Sequence, residues 1–339
     1  SAFNFDKTSI YYSYDENNLA TNNVPLNVFG IAQDFKFPTV YFIDKNLKKT
    51  KSALEKTNYN IQVLSVKKAV YTHFYTLSYA KNKAETYRYL NNLYQDFASK
   101  SKRRFELGET NYLEMITAKS KQKQIEVLYK QALLEVNLIR EKLKSVVQIS
   151  VLKTVDEPLK KLTLQNITTN NNLGIQFYDI AKNYQKIVLK KEKQSLLPDI
   201  SLEYFQGTNN QLNTSLRGYQ FGLKIPFLFS GNASKIKASK ISKEIVAAKQ
   251  QDYKIKLDAK HQSLLATLKQ NEEAINYYEK QGKNLKNEIL KTANRAFKEG
   301  DIDIFKYIQS IETATAIELS YLNNLNDYNQ TVIKINHLN

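Results

Sequence analysis

Residues 219–227, Tyr219-Gln220-Phe221-Gly222-Leu223-Lys224-Ile225-Pro226-Phe227, alternate strictly in character. Tyr219, Phe221, Leu223, Ile225 and Phe227 share one face of an extended chain, and Gln220, Gly222 and Lys224 share the other. A period of two over about ten residues is the mark of a strand. Three other segments carry it. Ile10, Tyr12 and Tyr14 oppose Ser9, Ser13 and Asp15; Phe29, Ile31, Phe35 and Phe37 oppose Gly30, Ala32, Asp34 and Lys36; Ile200, Leu202 and Tyr204 oppose Ser201 and Glu203. The expected strands are therefore about 8–16, 28–38, 199–206 and 218–228.

Between these segments the period changes. Residues 45–104 contain neither Gly nor Pro, and Leu47, Leu54, Ile61, Val70, Leu77, Ala84, Leu90 and Phe97 form an apolar seam. Ile125, Tyr129, Ala132, Val136, Ile139, Leu143 and Val146 alternate in steps of four and three, as a left-handed supercoil requires. Gly108, in Phe105-Glu106-Leu107-Gly108-Glu109-Thr110, supplies the residue with positive φ that a tight helix–helix turn needs. Residues 45–147 thus read as one long antiparallel helical hairpin, its first arm about 90 Å at 1.5 Å per residue.

The unit occurs twice. A second long helix from 232 carries Ile275, Tyr278, Gly282, Leu285, Ile289, Thr292 and Ala296 on one seam, turns at Phe297-Lys298-Glu299-Gly300-Asp301-Ile302, and returns to about 337. A shift of 192 places Phe105 on Phe297, Gly108 on Gly300, Glu109 on Asp301, Ile116 on Ile308 and Tyr129 on Tyr321. Equal offsets at five positions indicate an internal duplication. The expected division is a first repeat over 1–147, an irregular linker over 148–170 that includes Asp156-Glu157-Pro158 and Asn170-Asn171-Asn172, and a second repeat over 171–339 opening with a helix at 171–196.

Composition narrows the function. The chain of 339 residues has 50 Lys and Arg against 33 Asp and Glu, a net charge of +17, no Cys, 3 His, 9 Gly and 5 Pro. Zero Cys removes thiol chemistry and Cys-ligated zinc, and His73, His261 and His337 are too scattered for a metal site. No nucleophile elbow, phosphate-cradling glycine loop or metal-spaced cluster is present, so neither an enzyme nor a cofactor is expected. The lysines recur at nearly every helical turn without forming a block, which is the pattern of a solvated helix face; no nucleic-acid partner is expected. No apolar run reaches about 18 residues, so no transmembrane helix is expected.

The four strands still pose a physical problem. Their apolar faces have no second sheet to cover, because the rest of the chain is coiled coil. A transmembrane β-barrel resolves it: about 9–11 tilted residues cross the hydrocarbon, aromatic side chains meet lipid and polar ones meet a wet lumen. Tyr12, Tyr14, Phe35, Phe37, Tyr204, Tyr219 and Phe221 are the expected lipid-facing residues, and Asp34, Lys36, Glu203 and Lys224 the expected lumen-facing ones. Four strands leave open edges, which lipid does not tolerate, so further copies must close the barrel. Three copies give twelve strands.

In its order of elements the chain resembles the TolC-like outer-membrane factors of Gram-negative efflux pumps and type I secretion systems. The resemblance rests on Phe105-x-x-Gly108-x-x-x-Tyr112-Leu113, its echo Phe297-x-x-Gly300-x-x-x-Ile304-Phe305, and Leu197-Pro198-Asp199-Ile200-Ser201-Leu202. Gly218-x-x-Phe221-Gly222-Leu223-x-Ile225-Pro226, followed by Lys235-Ile236, adds to it. It covers essentially the whole chain, and in style it is similar to the branch serving heavy-metal RND exporters. It implies a homotrimer whose twelve-stranded outer-membrane barrel continues into a helical barrel in the periplasm. It also implies hairpin tips, here Phe105, Gly108, Glu109, Phe297, Gly300 and Asp301, that meet a periplasmic adaptor (membrane fusion) protein, and an RND-type inner-membrane transporter that supplies energy. Some relatives close the periplasmic end with acidic side chains on the last helix; the candidates here are Asp303, Lys306, Gln309 and Glu312, of which Lys306 and Gln309 depart from the acidic pattern.

Two further departures stand out. The first repeat has no helix equivalent to 171–196, which implies a fragment of a longer or trimmed protein, and there is no Cys for the lipid anchor that many members carry. The alternative reading of the residues is a soluble periplasmic coiled-coil scaffold or adaptor with a small β cap.

Overall fold

The computed structural model describes residues 5–152, 159–165, 172–211, 213–226 and 230–338. Strand β1 (Ser9–Leu19) and strand β2 (Pro25–Phe35) lead into helix α1 (Pro38–Glu106), which turns into α2 (Tyr112–Val147). Helix α3 (Leu173–Gln194), strands β3 (Asp199–Thr208) and β4 (Leu216–Lys224), and helix α4 (Ser230–Tyr277) follow. A π-helical turn (Tyr278–Gly282) joins α4 to α5 (Lys283–Glu299), and α6 (Ile304–Asn336) returns. Residues 153–158 and 166–170 of the expected linker lie outside the described residues, as do Phe227 and the last position of the expected fourth strand.

Two compact units emerge, and they cut across the order of the chain. One comprises residues up to Asn60 with Leu173–Ile255; the other comprises Ile61–Asn172 with Lys256–Asn339. The first holds a fully antiparallel sheet of order β1-β2-β3-β4. Its register stacks Ile10, Ile31, Tyr204 and Tyr219 in one cross-strand row, and Tyr11, Gly30, Phe205 and Gly218 in the next row on the opposite face.

Helix α1 begins at Pro38, seven residues earlier than the apolar seam implies. Proline suits a first helical position because its missing N–H is one that the helix would not bond, and the residue before it stays extended. Phe37 is consequently not on a strand: β2 stops at Phe35, and the Phe37 carbonyl accepts from Val40 N–H at 2.8 Å. Lys36 also lies beyond the strand end. The fourth strand likewise stops at Lys224, before Ile225 and Pro226.

Among its described residues the second unit has three apolar cores. Leu77, Ala80 and Ala84 of α1 pack with Ala132, Val136, Ile139 and Leu143 of α2, as the heptads require. Leu268 and Ile275 of α4 pack with Leu325, Tyr328, Val332 and Ile335 of α6. Leu90, Tyr94 and Phe97 of α1 pack with Ala118 of α2, Ala293 of α5, and Ile304, Tyr307, Ile308 and Ile311 of α6. Described residues 159–165 form no helix or strand, yet they are held closely. Buried Asn329 donates through Nδ2 to the Lys160 carbonyl at 2.8 Å and accepts from Leu162 N–H at 2.9 Å, so one side chain takes the place of a neighbouring strand.

The seam of the second hairpin differs from the expected one beyond Gly282. Leu285 and Thr292 are exposed, whereas Ala293 is buried and Leu290 and Phe297 pack into a core. The π-helical turn is the cause: its wider loop absorbs one extra residue, so every later seam position moves by one. The repeat itself records the insertion. Seam residues Leu77, Ala80 and Ala84 correspond to Leu268, Asn271 and Ile275 at a shift of 191, while Gly108 corresponds to Gly300 at 192. Beside the turn, Tyr278 donates to Glu318 at 2.7 Å and Lys286 pairs with the same carboxylate at 2.5 Å. Burial, and secondarily that hydrogen bond, raise the Tyr278 pKa above its ordinary value, so the phenol remains a donor.

Candidate functional site

Two regions carry the expected functional residues: the faces of the sheet and the turns of the two hairpins. On the first face, Tyr12 and Phe221 are each 66 % exposed and Tyr219 is 82 % exposed, with Ile10, Tyr14 and Phe29 also exposed. Tyr204 lies against Tyr219 with ring centroids 5.2 Å apart, and Phe35 is partly covered by Phe5 at 5.9 Å. Asn27, Gln33 and Gln206 share this face, but so large an exposed aromatic and aliphatic surface on one side of a four-stranded sheet still marks an interaction surface. Phe37 stands apart from this surface, at the turn into α1.

The opposite face holds paired charges. Lys224 pairs with Asp34 at 2.5 Å, Lys36 with Asp199 at 2.8 Å, and the Tyr11 hydroxyl donates to Glu203. Lys36 reaches Asp199 from just past β2, so it contributes to the polar face without belonging to the strand. This face is not purely polar. The rings of Tyr11 and Phe205 lie over Gly30 and Gly218, where a Cβ would overlap them. Aromatic shielding of glycine across a ladder explains why glycine occupies two strand centres. The pattern was open to inspection in the sequence, since Tyr11 and Phe205 break the alternation, but their partners were not.

The two hairpin turns are built alike. Gly108 has φ 75° and Gly300 has φ 82°. Glu109 N–H donates to the Arg104 carbonyl at 2.8 Å, and Asp301 N–H to the Ala296 carbonyl at 2.8 Å, closing the last helical turn in both. Asn111 and Asp303 then cap α2 and α6, accepting from Glu114 N–H at 2.9 Å and Lys306 N–H at 2.8 Å. All these pairs keep the shift of 192.

The side chains around the turns diverge. Phe297 is stacked on Tyr307 at 4.4 Å inside a core, whereas Phe105 meets Tyr112 edge-on at 5.8 Å and both remain exposed with Leu107 and Leu113. The first turn is therefore the more apolar surface. Glu109 lies 3.7 Å from Arg104, and Asp301 is exposed. Of the other candidates on the last helix, Asp303 is engaged in capping, Lys306 and Gln309 are exposed, and Glu312 pairs with Lys121 of α2 at 2.6 Å.

Among the described residues no helix is long and apolar enough to cross a membrane, and no group of His, Asp or Glu could hold a metal ion. No family model matches the sequence, and no curated protein matches it. Solved structures do. The chain is similar to VceC, an outer membrane protein of Vibrio cholerae, at 12% identity and TM-score 0.81 over 99% of this chain and 87% of that one. It is similar to the open state of the MtrE outer membrane channel of Neisseria gonorrhoeae at 11% identity and TM-score 0.81, over 99% and 80% of the two chains. This chain has the TolC-like channel fold. The CmeC outer membrane channel of Campylobacter jejuni shares it at 14% identity and TM-score 0.76, over 99% of this chain and 77% of that one. The order of elements in this chain, two strands and a long helical hairpin followed by a helix, two strands and a second hairpin, is the one expected from the sequence.

Proposed function

We propose that this protein is the outer-membrane channel component of a tripartite efflux pump in a Gram-negative bacterium, a passive homotrimeric duct. The observation that carries the reading is the sheet: one face is apolar and exposed, the other is charged, and β1 and β4 are its two edges. Lipid satisfies the first face and water the second, and both edges need strands from other copies before hydrocarbon can surround them. Three copies supply a twelve-stranded barrel continuing into a helical barrel in the periplasm.

In this reading Tyr12, Tyr14, Phe35, Tyr204, Tyr219 and Phe221 meet lipid, and Asp34, Lys36, Glu203 and Lys224 line the wet interior. The turns at Phe105, Gly108 and Glu109 and at Phe297, Gly300 and Asp301 dock a periplasmic adaptor, with the exposed Phe105 side offering the apolar contact. Asp303, Lys306, Gln309 and Glu312 lie near the periplasmic opening, and an RND-type transporter delivers what passes through. No step of this work requires a catalytic group, since a duct changes no bonds. Fractionation and mass measurement test the reading. The full chain is expected in detergent-extracted outer membranes at about 118 kDa of protein, three times 39.3 kDa. A monomer recovered without detergent would favour a coiled-coil scaffold instead.

A further inference from the structure

The net charge of +17 is unevenly spread along the chain. Helix α1 has no Asp or Glu between Glu55 and Glu85, α4 has none between Asp258 and Glu272, and α6 has none after Asp327. The second unit brings these stretches together. Helices α1 and α6 run antiparallel, with Tyr79 on Asn323 at 2.6 Å and Gln330 donating to the Thr72 carbonyl at 3.2 Å. One turn further, Lys334 stands beside Lys68. The rings of Tyr71 and His337, with centroids 5.3 Å apart, keep the same register. From α4, Leu264 and Leu265 pack against the core that holds Val332 and Ile335, and Lys260 lies one turn before Leu264.

Nothing within the chain neutralises this cluster. Half-buried Lys83, Lys121 and Lys286 of the same unit each meet a carboxylate, on Glu135, Glu312 and Glu318. Among the described residues Lys68, Lys260 and Lys334 form no ion pair. Lys68 is half-buried, and its pKa is lowered from the ordinary lysine value by burial first, then by the charges of Lys260 and Lys334. Asp327 bears on Tyr79 instead, and Asp258, two residues before Lys260, lies about 200° away round α4. Described residues 159–165 are held by Asn329, and Lys334 points about 140° from Asn329 round α6. Three like charges, one of them half-buried where the dielectric is below that of water, repel unless an anion sits among them.

We propose that Lys68, Lys260 and Lys334 form a binding site for a multivalent oxyanion, a phosphate or a phosphate monoester. Each ammonium offers three donors and acts on phosphate as a point charge. A dianion gains more than chloride from three such charges, so the site discriminates by valence. It uses none of the residues assigned to the sheet faces or the hairpin turns, and it stands whether or not the protein is a channel.

Titration calorimetry on the detergent-extracted full-length protein tests the site, using inorganic phosphate and glycerol 3-phosphate against sodium chloride at matched ionic strength. Saturable phosphate binding is expected, weakened about tenfold by Lys68→Gln or Lys334→Gln, the loss of one charge-assisted contact. Lys249→Gln, at an exposed position of α4, should bind as the parent does. Binding of inorganic phosphate alone assigns the site to the free ion, and binding of both assigns it to phosphorylated solutes. A second readout needs no ligand: at low ionic strength Lys68→Gln should unfold at a higher temperature than the parent, because repulsion is relieved. All three lysines belong to one chain, so the result reads the same for a monomer or a trimer. Heats no different from those of chloride, or equal phosphate binding by the parent and both cluster variants, would overturn the site.

Discussion

Tyr11, Gly30, Phe205 and Gly218 form one cross-strand row in which rings lie over glycines, and the row makes the sheet sensitive to single atoms. A methyl at position 218 would enter the space of the Phe205 ring. Gly218→Ala is expected to cost about 1–3 kcal/mol of sheet stability, read as a lower temperature of oligomer dissociation on gels. Adding Phe205→Ala should recover part of that loss; no recovery would remove the ring as its cause. At the turns the limit is backbone strain, since nothing stands within 4 Å of a Cβ at Gly108 or Gly300. Gly300→Val is expected to cost about 1–2 kcal/mol, while Gly300→Asn, a residue that visits positive φ, should cost less. Under the proposed function, valine at either turn reduces export and spares trimer formation. Equal export by both valine variants and the parent would argue against the docking role. The turn glycines were legible because one residue type suits positive φ. Phe37 falls outside the expected strand because alternation in the sequence runs on to the point where Pro38 starts a helix.

The elements show the same contrast between period and phase. The seams of α1 and α2 follow the heptads directly, because an uninterrupted α-helix carries a pattern without drift in face. Past the π-helical turn that continuity fails, and no residue type announces a π-turn. The consequence is testable: Leu285, an expected seam residue, is 43% exposed, whereas Ala293 is 5% exposed. Leu285→Ser is therefore expected to change stability by less than about 0.5 kcal/mol. Ala293→Leu, forced into a filled core, is expected to cost about 1–3 kcal/mol. Thermal unfolding followed by circular dichroism would distinguish them, and the reverse ranking would restore the unshifted seam. Asn329 belongs with the features that sequence could not reveal, for its two backbone partners lie some 167 and 169 residues away.

For the molecule as a whole, the charge of +17 and the absence of an apolar helix first point toward a water-surrounded basic protein. Under the proposed function, four strands of 9 to 11 residues reverse that expectation, with lipid against their exposed aromatic face and other copies at their edges. Order, duplication and strand faces were readable from the residues; the assembly proposed to satisfy them belongs to several chains and leaves no motif within one. Planar-bilayer recording of the detergent-extracted full-length protein tests the central claim most directly. A trimeric channel is predicted to give discrete, stable conductance steps that are absent from mock extracts. A bilayer that stays silent at concentrations where the extract is shown to contain folded trimers would contradict the account.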